Sequence, residues 1–264
     1  MARRIRRRGR RVGRERLRER GHTPRLGTVL MSDSEADERF MTTKHERCAA
    51  VGIDTERVDV AADAPAEDLY AAVDRLAADD DVTAMFVQAP LPDHVDDGAV
   101  RARIPPAKDV DCFAPSNLGR LVAGRPRVVP ATTNAVRTLL AEYCEPTAGR
   151  DAVVVGRNTA ICKPLANLLW SRGPGGDATV TVCHTATRDL AAHTRRADVL
   201  VTAAGSANLV DGTMVGDGVA VVDVSVNRVE SEAGDGHELV GDVEFESVEE
   251  KASAITPVPG GVGR

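Results

Sequence analysis

Residues 151–164, Asp-Ala-Val-Val-Val-Gly-Arg-Asn-Thr-Ala-Ile-Cys-Lys-Pro, make the most chemically suggestive local pattern in the chain. Residues 151–155 are an apolar run of strand length, Gly156 supplies a tight turn, and residues 164–170 read as a helix whose first turn accepts Pro164. Strand, glycine and helix start together offer a place for phosphate, because amide hydrogens at a helix N-terminus carry roughly half a positive charge. The full Gly-x-Gly-x-x-Gly fingerprint is absent, since Arg157, Asn158 and Cys162 follow Gly156, so an ordinary strand-helix pair also fits. The next strand ends in Cys183-His184-Thr185, without the carboxylate that accepts ribose hydroxyls in NAD enzymes. Arg157 as a bidentate cation and Thr185 as a neutral donor suit a 2′-phosphate instead, which favours NADP, with NAD as the alternative. A plain surface arginine and a capping or packing role for His184 are the ordinary readings of the same residues. Five scattered cysteines (Cys48, Cys112, Cys144, Cys162, Cys183) form no Cys-x-x-Cys pair and no metal-ligand spacing, so reduced thiols and no metal site are expected.

Alternating elements must position these groups. Residues 26–31 read as a buried strand, and Ser32-Asp-Ser-Glu-Ala as the cap of a helix running to about residue 50 and stopping at Gly52. Residues 57–61 suit a second strand and 82–87 a third. Between them, residues 65–78 place Leu69, Ala72, Val73 and Leu76 on one helical face. The third strand leads into Gln88-Ala-Pro-Leu-Pro92. Residues 104–130 are loop-rich and read as the passage between domains, followed by a helix over 133–143. Strands at 151–155, 178–182, 198–202 and 219–224 make the second half a doubly wound, Rossmann-type nucleotide domain. The closing run 255–264, Ile-Thr-Pro-Val-Pro-Gly-Gly-Val-Gly-Arg, excludes a helix or an inner strand, and its glycines let backbone approach a flat ligand. The expected fold is α/β with two domains, the first over 1–130 and a Rossmann-type NAD(P)-binding domain over 131–249.

Charge is divided unevenly. Residues 1–25 hold 12 arginines against Glu15 and Glu19, whereas the other 22 basic and 38 acidic residues leave residues 26–264 at −16. An acidic body with four lysines fits a high-salt solvent, where carboxylates keep the surface hydrated. The Arg-rich start fits a nucleic-acid arm or a transit peptide, and better a solvated first helix ending at Gly21 and Pro24. Three percent aromatics leaves few platforms for stacking bases, so no nucleic-acid partner is expected. No apolar run approaches the roughly 20 residues that cross a bilayer, and no secretory leader core follows the basic start. The expectation is a cytoplasmic protein with no membrane partner.

A series of motifs then resembles one family. Phe40-Met-Thr-Thr-Lys44 with Gly52-Ile53, Gln88-Ala-Pro-Leu-Pro92, Lys108-Asp-Val-Asp111, Asn117-Leu-Gly-Arg120, Gly156-Arg157 with Lys163-Pro164, and Thr256-Pro-Val-Pro-Gly-Gly-Val-Gly263 occur in that order. The series is similar to the bifunctional methylenetetrahydrofolate dehydrogenase/methenyltetrahydrofolate cyclohydrolase family, from about Gly21 to the last residue. The resemblance implies a catalytic, folate-binding domain over 1–130, folate in a cleft between it and the NAD(P)-binding domain, and 250–264 returning to that cleft, in a homodimer that oxidises 5,10-methylenetetrahydrofolate with NADP and hydrolyses the methenyl product to 10-formyltetrahydrofolate, within one-carbon metabolism and purine biosynthesis. It matches the catalytic lysine to Lys44, its partner glutamine to Gln88 and the pterin-binding aspartate to Asp111. Phe40, Pro90, Leu91, Pro259, Gly260 and Gly261 become substrate contacts. Gly156, Arg157, Asn158, Thr185, Val224, Gly260 and Gly261 become cofactor contacts. Read without the family, Lys44 is a solvated helix lysine, Gln88 a strand-end polar group and Asp111 a loop aspartate.

The residue types suit that chemistry. Hydride transfer needs orientation rather than a base. Hydrolysis of a methenyl cation needs one group that takes a proton from water and returns it to a ring nitrogen, and a lysine beside a cation has its charged form disfavoured. Several positions depart from the family. Phe40 stands where it has tyrosine, Cys112, Cys162 and Ser225 where it has glycines, and Pro130-Ala-Thr-Thr133 where it has Pro-Cys-Thr-Pro. Glycines that need positive φ would cost on the order of 1 kcal/mol each to replace. The family's chain continues past the position of Arg264 into a helix that packs back on the first domain. A dehydrogenase with weak or lost cyclohydrolase, and a non-catalytic NADP- or folate-binding relative, are the alternatives.

Overall fold

The computed structural model describes residues 23–144, 146–230 and 236–263, so the expected first helix lies outside the described residues. The chain divides into two compact units, 1–117 and 118–264. Residues 104–130 are not all loop: helix α4 (Pro115–Val122) occupies part of the stretch and crosses the division at 117.

In the first unit β1 (Arg25–Met31) is followed by α1 (Glu35–Ala49), β2 (Asp54–Val60), α2 (Ala66–Ala78), β3 (Ala84–Val87) and α3 (Asp97–Arg103). The sheet order is β2-β1-β3, parallel throughout, with Val29 paired to Val58 on one side and to Val87 on the other. Parallel strands covered by helices must be apolar on both faces, which is why 29–31 are buried. Leu69, Ala72, Val73 and Leu76 of α2 pack with Val29, Met31, Met85 and Val87 in one core. The serines before α1 do not cap it as expected. Ser34 is the N-cap residue but makes no side-chain cap bond, and the Ser32 hydroxyl donates to Asp37 instead.

The second unit runs α5 (Ala131–Tyr143), β4 (Asp151–Val155), α6 (Cys162–Trp170), β5 (Thr179–Cys183), α7 (Leu190–Thr194), β6 (Val199–Thr202), β7 (Ala220–Asp223), β8 (Asn227–Glu230), β9 (His237–Val240), α8 (Phe245–Glu249) and β10 (Ala254–Ile255). Five parallel strands stand in the order β10-β7-β6-β4-β5, and β8-β9 form a separate antiparallel hairpin. Strand β4 starts the sheet, β5 lies on one side of it and β6 on the other, so the end of β4 is a topological switch point where such sheets receive ligands. The C-terminal segment joins the sheet edge through β10, and Val262 packs against this unit's core.

Candidate active site

In the first unit the candidate side chains converge at the ends of β1 and β3. Asp37, Phe40 and Lys44 follow β1 on one face of α1, spaced by three and four residues so that their side chains stack along the helix. Gln88 and Pro90-Leu91 continue directly from β3, and Leu91 packs on the unit's core while Pro90 is exposed. The Lys44 ammonium donates to Gln88 Oε1 at 3.3 Å and lies 3.8 Å from the centroid of the Phe86 ring and 4.4 Å from that of Phe40. Burial pushes the lysine below its ordinary pKa, opposed by the negative charges of Asp111, Cys48 and Asp37. Aromatic faces attract a cation but offer no proton acceptor, so Gln88 supplies the amide oxygen that an ammonium needs.

The orientation of Gln88 follows from its partners. Its Nε2 donates to Asp37 Oδ1 at 3.3 Å and to the Ala89 carbonyl at 3.0 Å. A flipped amide would set donors against donors at Lys44 and acceptors against acceptors at both other contacts, so Oε1 faces the lysine. Asp37 was not among the sequence candidates. Its spacing of seven residues from Lys44 on α1 was the available signal, and only the fold brings it to a residue 51 positions away.

Asp111 is raised above its usual carboxylate range by burial, against the pull of Lys44 and with a push from Asp109. A folded loop presents it. Asp109, 5% exposed, accepts the backbone N–H groups of Asp111 and Phe113 on Oδ1, and Ala114 N–H and Asn117 Nδ2 on Oδ2. Lys108 anchors the same loop to the end of α2 by donating to the carbonyls of Leu76, Ala77 and Asp79 at 3.4, 2.8 and 2.6 Å. Cys112 has φ +59, the left-handed region that favours glycine, and burial with two neighbouring aspartates pushes its thiol up to about 11. The expected strain applies there alone of the three substituted glycines, because Cys162 and Ser225 keep negative φ.

In the second unit the expected cofactor residues follow strands of one parallel sheet: Gly156, Arg157 and Asn158 after β4, Thr185 after β5, Val224 after β7, and Gly260 and Gly261 after β10, with the expected substrate contact Pro259 just before them. Gly156 has φ +128, and a Cβ there would lie 2.6 Å from both the Ala203 carbonyl oxygen and Cys162 Sγ. The exposed Arg157 guanidinium donates to Thr185 Oγ1 at 3.4 Å across the ends of β4 and β5, with no carboxylate following on β5. A cation and a hydroxyl at that place fit a phosphate monoester, so the residues present suit NADP. The helix N-terminus is more committed than the sequence implied. Asn158 Oδ1 accepts the N–H groups of Ile161 and Cys162, and the Asn158 carbonyl accepts that of Lys163. Asn158 therefore commits its side-chain oxygen to the two N–H groups that open α6, whose N-cap residue is Ile161.

The chain matches two family models, "Tetrahydrofolate dehydrogenase/cyclohydrolase, catalytic domain" over residues 1–111 and "Tetrahydrofolate dehydrogenase/cyclohydrolase, NAD(P)-binding domain" over residues 130–264. It is 50% identical to bifunctional protein FolD 1 of Haloarcula marismortui, over 94% of this chain and 84% of that one. It is 53% identical to bifunctional protein FolD of Natronomonas pharaonis, over 94% and 83%. Among solved structures, the methylenetetrahydrofolate dehydrogenase-cyclohydrolase of Trypanosoma brucei, complexed with NADP cofactor and inhibitor, superposes with a TM-score of 0.86 at 36% identity, covering 96% of this chain and 88% of that one. Matching domain models in order along nearly the whole chain, and relatives at half identity, make this protein a member of the tetrahydrofolate dehydrogenase/cyclohydrolase family.

Proposed function

We propose that Lys44 handles the proton in an NADP-dependent oxidation of 5,10-methylenetetrahydrofolate followed by hydrolysis of the methenyl product to 10-formyltetrahydrofolate. The observation that carries this reading is the Lys44 ammonium held between the Gln88 amide oxygen and two aromatic faces in a partly desolvated place. NADP, when bound, accepts the hydride, and Arg157 with Thr185 would hold its 2′-phosphate. In the hydrolysis the neutral Lys44 amine takes a proton from the water that adds to the methenyl carbon. The resulting ammonium returns that proton to the ring nitrogen as the carbon–nitrogen bond breaks. A lowered pKa suits both halves, since the amine must be free at working pH and must then give its proton back. Gln88 orients the ammonium without adding charge, so it does not hold the Lys44 proton as a carboxylate in its place would. Asp111 offers two oxygens to adjacent N–H donors of a pterin.

Phe40 gives a second reading its support: the ring touches the ammonium but carries no hydroxyl, so hydrolysis proceeds more slowly than oxidation and methenyl product builds up. A homodimer, a cytoplasmic location and supply of formyl groups to purine biosynthesis belong to the first reading. Among the described residues no helix is long and apolar enough to cross a membrane. The test is an absorbance assay that follows NADPH and methenyl product together, run with NADP and NAD side by side. Lys44→Ala is expected to abolish hydrolysis while NADP still binds. Full hydrolysis by Lys44→Ala would show that another group moves the proton, and no turnover with either nicotinamide would defeat the reading.

A further inference from the structure

Two loops leave the carboxyl edge of the second unit's sheet beside the Gly156 turn, and one buried carboxylate ties them together. Asp242, fully buried, accepts the successive backbone N–H groups of Ala204, Gly205 and Ser206, at 2.6 and 3.3 Å on Oδ2 and 2.8 Å on Oδ1. It also accepts the Ser225 hydroxyl at 2.7 Å and Asn227 Nδ2 at 3.1 Å. Residues 204–206 follow β6, and 225–227 follow β7. The β6 loop in turn meets the nucleotide turn, because the Ala203 carbonyl accepts from Asn158 Nδ2 at 3.2 Å and occupies the space that a Cβ on Gly156 would need. Three consecutive N–H groups pointing one way form a nest for an anion, and here the chain fills the nest with its own aspartate.

Ser225 stands where the resemblance leads one to expect a glycine. Its hydroxyl donates to Asp242 and accepts the Gly205 N–H at 3.2 Å, joining the β6 and β7 loops a second time. Backbone on the far side lets the aspartate in: Asp223 takes the Val243 N–H and the Ser225 N–H, and a Cβ on Gly241 would collide with the Asp223 carboxylate. Val224, an expected cofactor contact, lies between these two anchored residues.

We propose that Asp242 is a positioning residue of the nicotinamide-nucleotide site, and that Ser225 assists it, by holding the β6 and β7 loops where NADP is received. The proposal rests on the reading that this edge binds NADP. Neither side chain need touch the cofactor; both act through the loops. Loops that are not fixed must be ordered on binding, which weakens affinity without affecting chemistry elsewhere.

The test uses the full chain. NADP affinity is measured by calorimetry, amide exchange over residues 203–206 by mass spectrometry, and methenyl hydrolysis in the absence of nicotinamide as a readout of the first unit. Asp242→Asn keeps the size, but its NH2 would face donors. It is expected to raise the NADP Kd about tenfold, the scale of one charge-assisted hydrogen bond, and to speed exchange at 204–206, with hydrolysis within twofold of the parent. Ser225→Ala is expected to raise the Kd about threefold, the scale of one neutral hydrogen bond, and decides the matter if Asp242→Asn does not fold. Unchanged NADP affinity in the folded variants overturns the proposal, as does loss of hydrolysis in proportion to loss of binding, which marks a general stabiliser. A parent chain that binds no NADP refutes the cofactor reading itself and takes this proposal with it.

Discussion

Gln88→Glu tests the core of the site most directly, because it turns the neutral acceptor 3.3 Å from the Lys44 ammonium into a charged one. Two unit charges at that separation attract by roughly 5 kcal/mol at an effective dielectric of about 20. Asp37 Oδ1, 3.3 Å from the amide nitrogen that the substitution replaces, repels the new carboxylate and holds part of it protonated. Solvent at the half-buried lysine screens more, which leaves about 1.4–2.7 kcal/mol in favour of the ammonium, or ten- to a hundredfold less free amine at a given pH. The assay is the rate of methenyl hydrolysis at saturating substrate from pH 6 to 10, corrected for the uncatalysed reaction. The rate at neutral pH should fall by that factor and recover on the alkaline side, where Lys44 finally releases its proton. Gln88→Met removes the acceptor without adding charge and should move the alkaline-rising limb the other way. A Gln88→Glu rate lowered equally at every pH, or a limb that stays where the parent has it, refutes the argument that Gln88 governs the Lys44 proton.

Other expectations follow from single contacts. Asp223, 3% exposed, is pushed up from 3.8 to about 6, chiefly by burial, with Asp242 adding to the rise. Because the folded state holds this proton more tightly than the unfolded chain, its stabilisation is complete below about pH 4 and is lost as pH rises through 6, a span of about 3 kcal/mol. Asp223→Asn should flatten that part of the difference in Tm against pH, and an unchanged slope between pH 4 and 6 would discount the shift. Gly156→Ala places a Cβ 2.6 Å from the Ala203 carbonyl and Cys162 Sγ at φ +128, and should cost about 2–4 kcal/mol in urea unfolding. An unmoved midpoint would mean that the turn relaxes freely. Lys108→Met removes the donor to three carbonyls at the end of α2 and should cost about 1–2 kcal/mol. It should also raise the KM for folate by loosening the loop that carries Asp111, and a KM equal to the parent's would separate that loop from the anchor.

Much of the architecture was legible because it is written in local pattern. The apolar runs that became β1, β4, β6 and β7, and the stripe Leu69, Ala72, Val73 and Leu76, declare strand and helix through burial alone. Shorter elements were missed. Helix Asp97–Arg103 and the hairpin of β8 and β9 hold too few apolar positions for a period to show, and the first depends on a single Asp96 cap; Pro115–Val122 places Leu118, Leu121 and Val122 at helical spacing but spans only about two turns within a loop-rich stretch. The expectation of strain at three former glycines held only at Cys112, since backbone angle is set by the surrounding fold and not by the residue type of a relative.

By itself, then, the amino-acid order determined the alternation of strand and helix, the glycine turn at 156, the absence of a carboxylate after β5, and the family motifs that single out Lys44, Gln88 and Asp111. Tertiary structure alone decided which of these groups meet and what else joins them. It set Asp37 against an amide 51 residues away and gave Asp242 to N–H groups 36 to 38 residues back along the chain. The physical reason is that a hydrogen bond requires a donor and an acceptor within about 3 Å and in line, a condition that only the packed backbone imposes between residues so far apart in sequence.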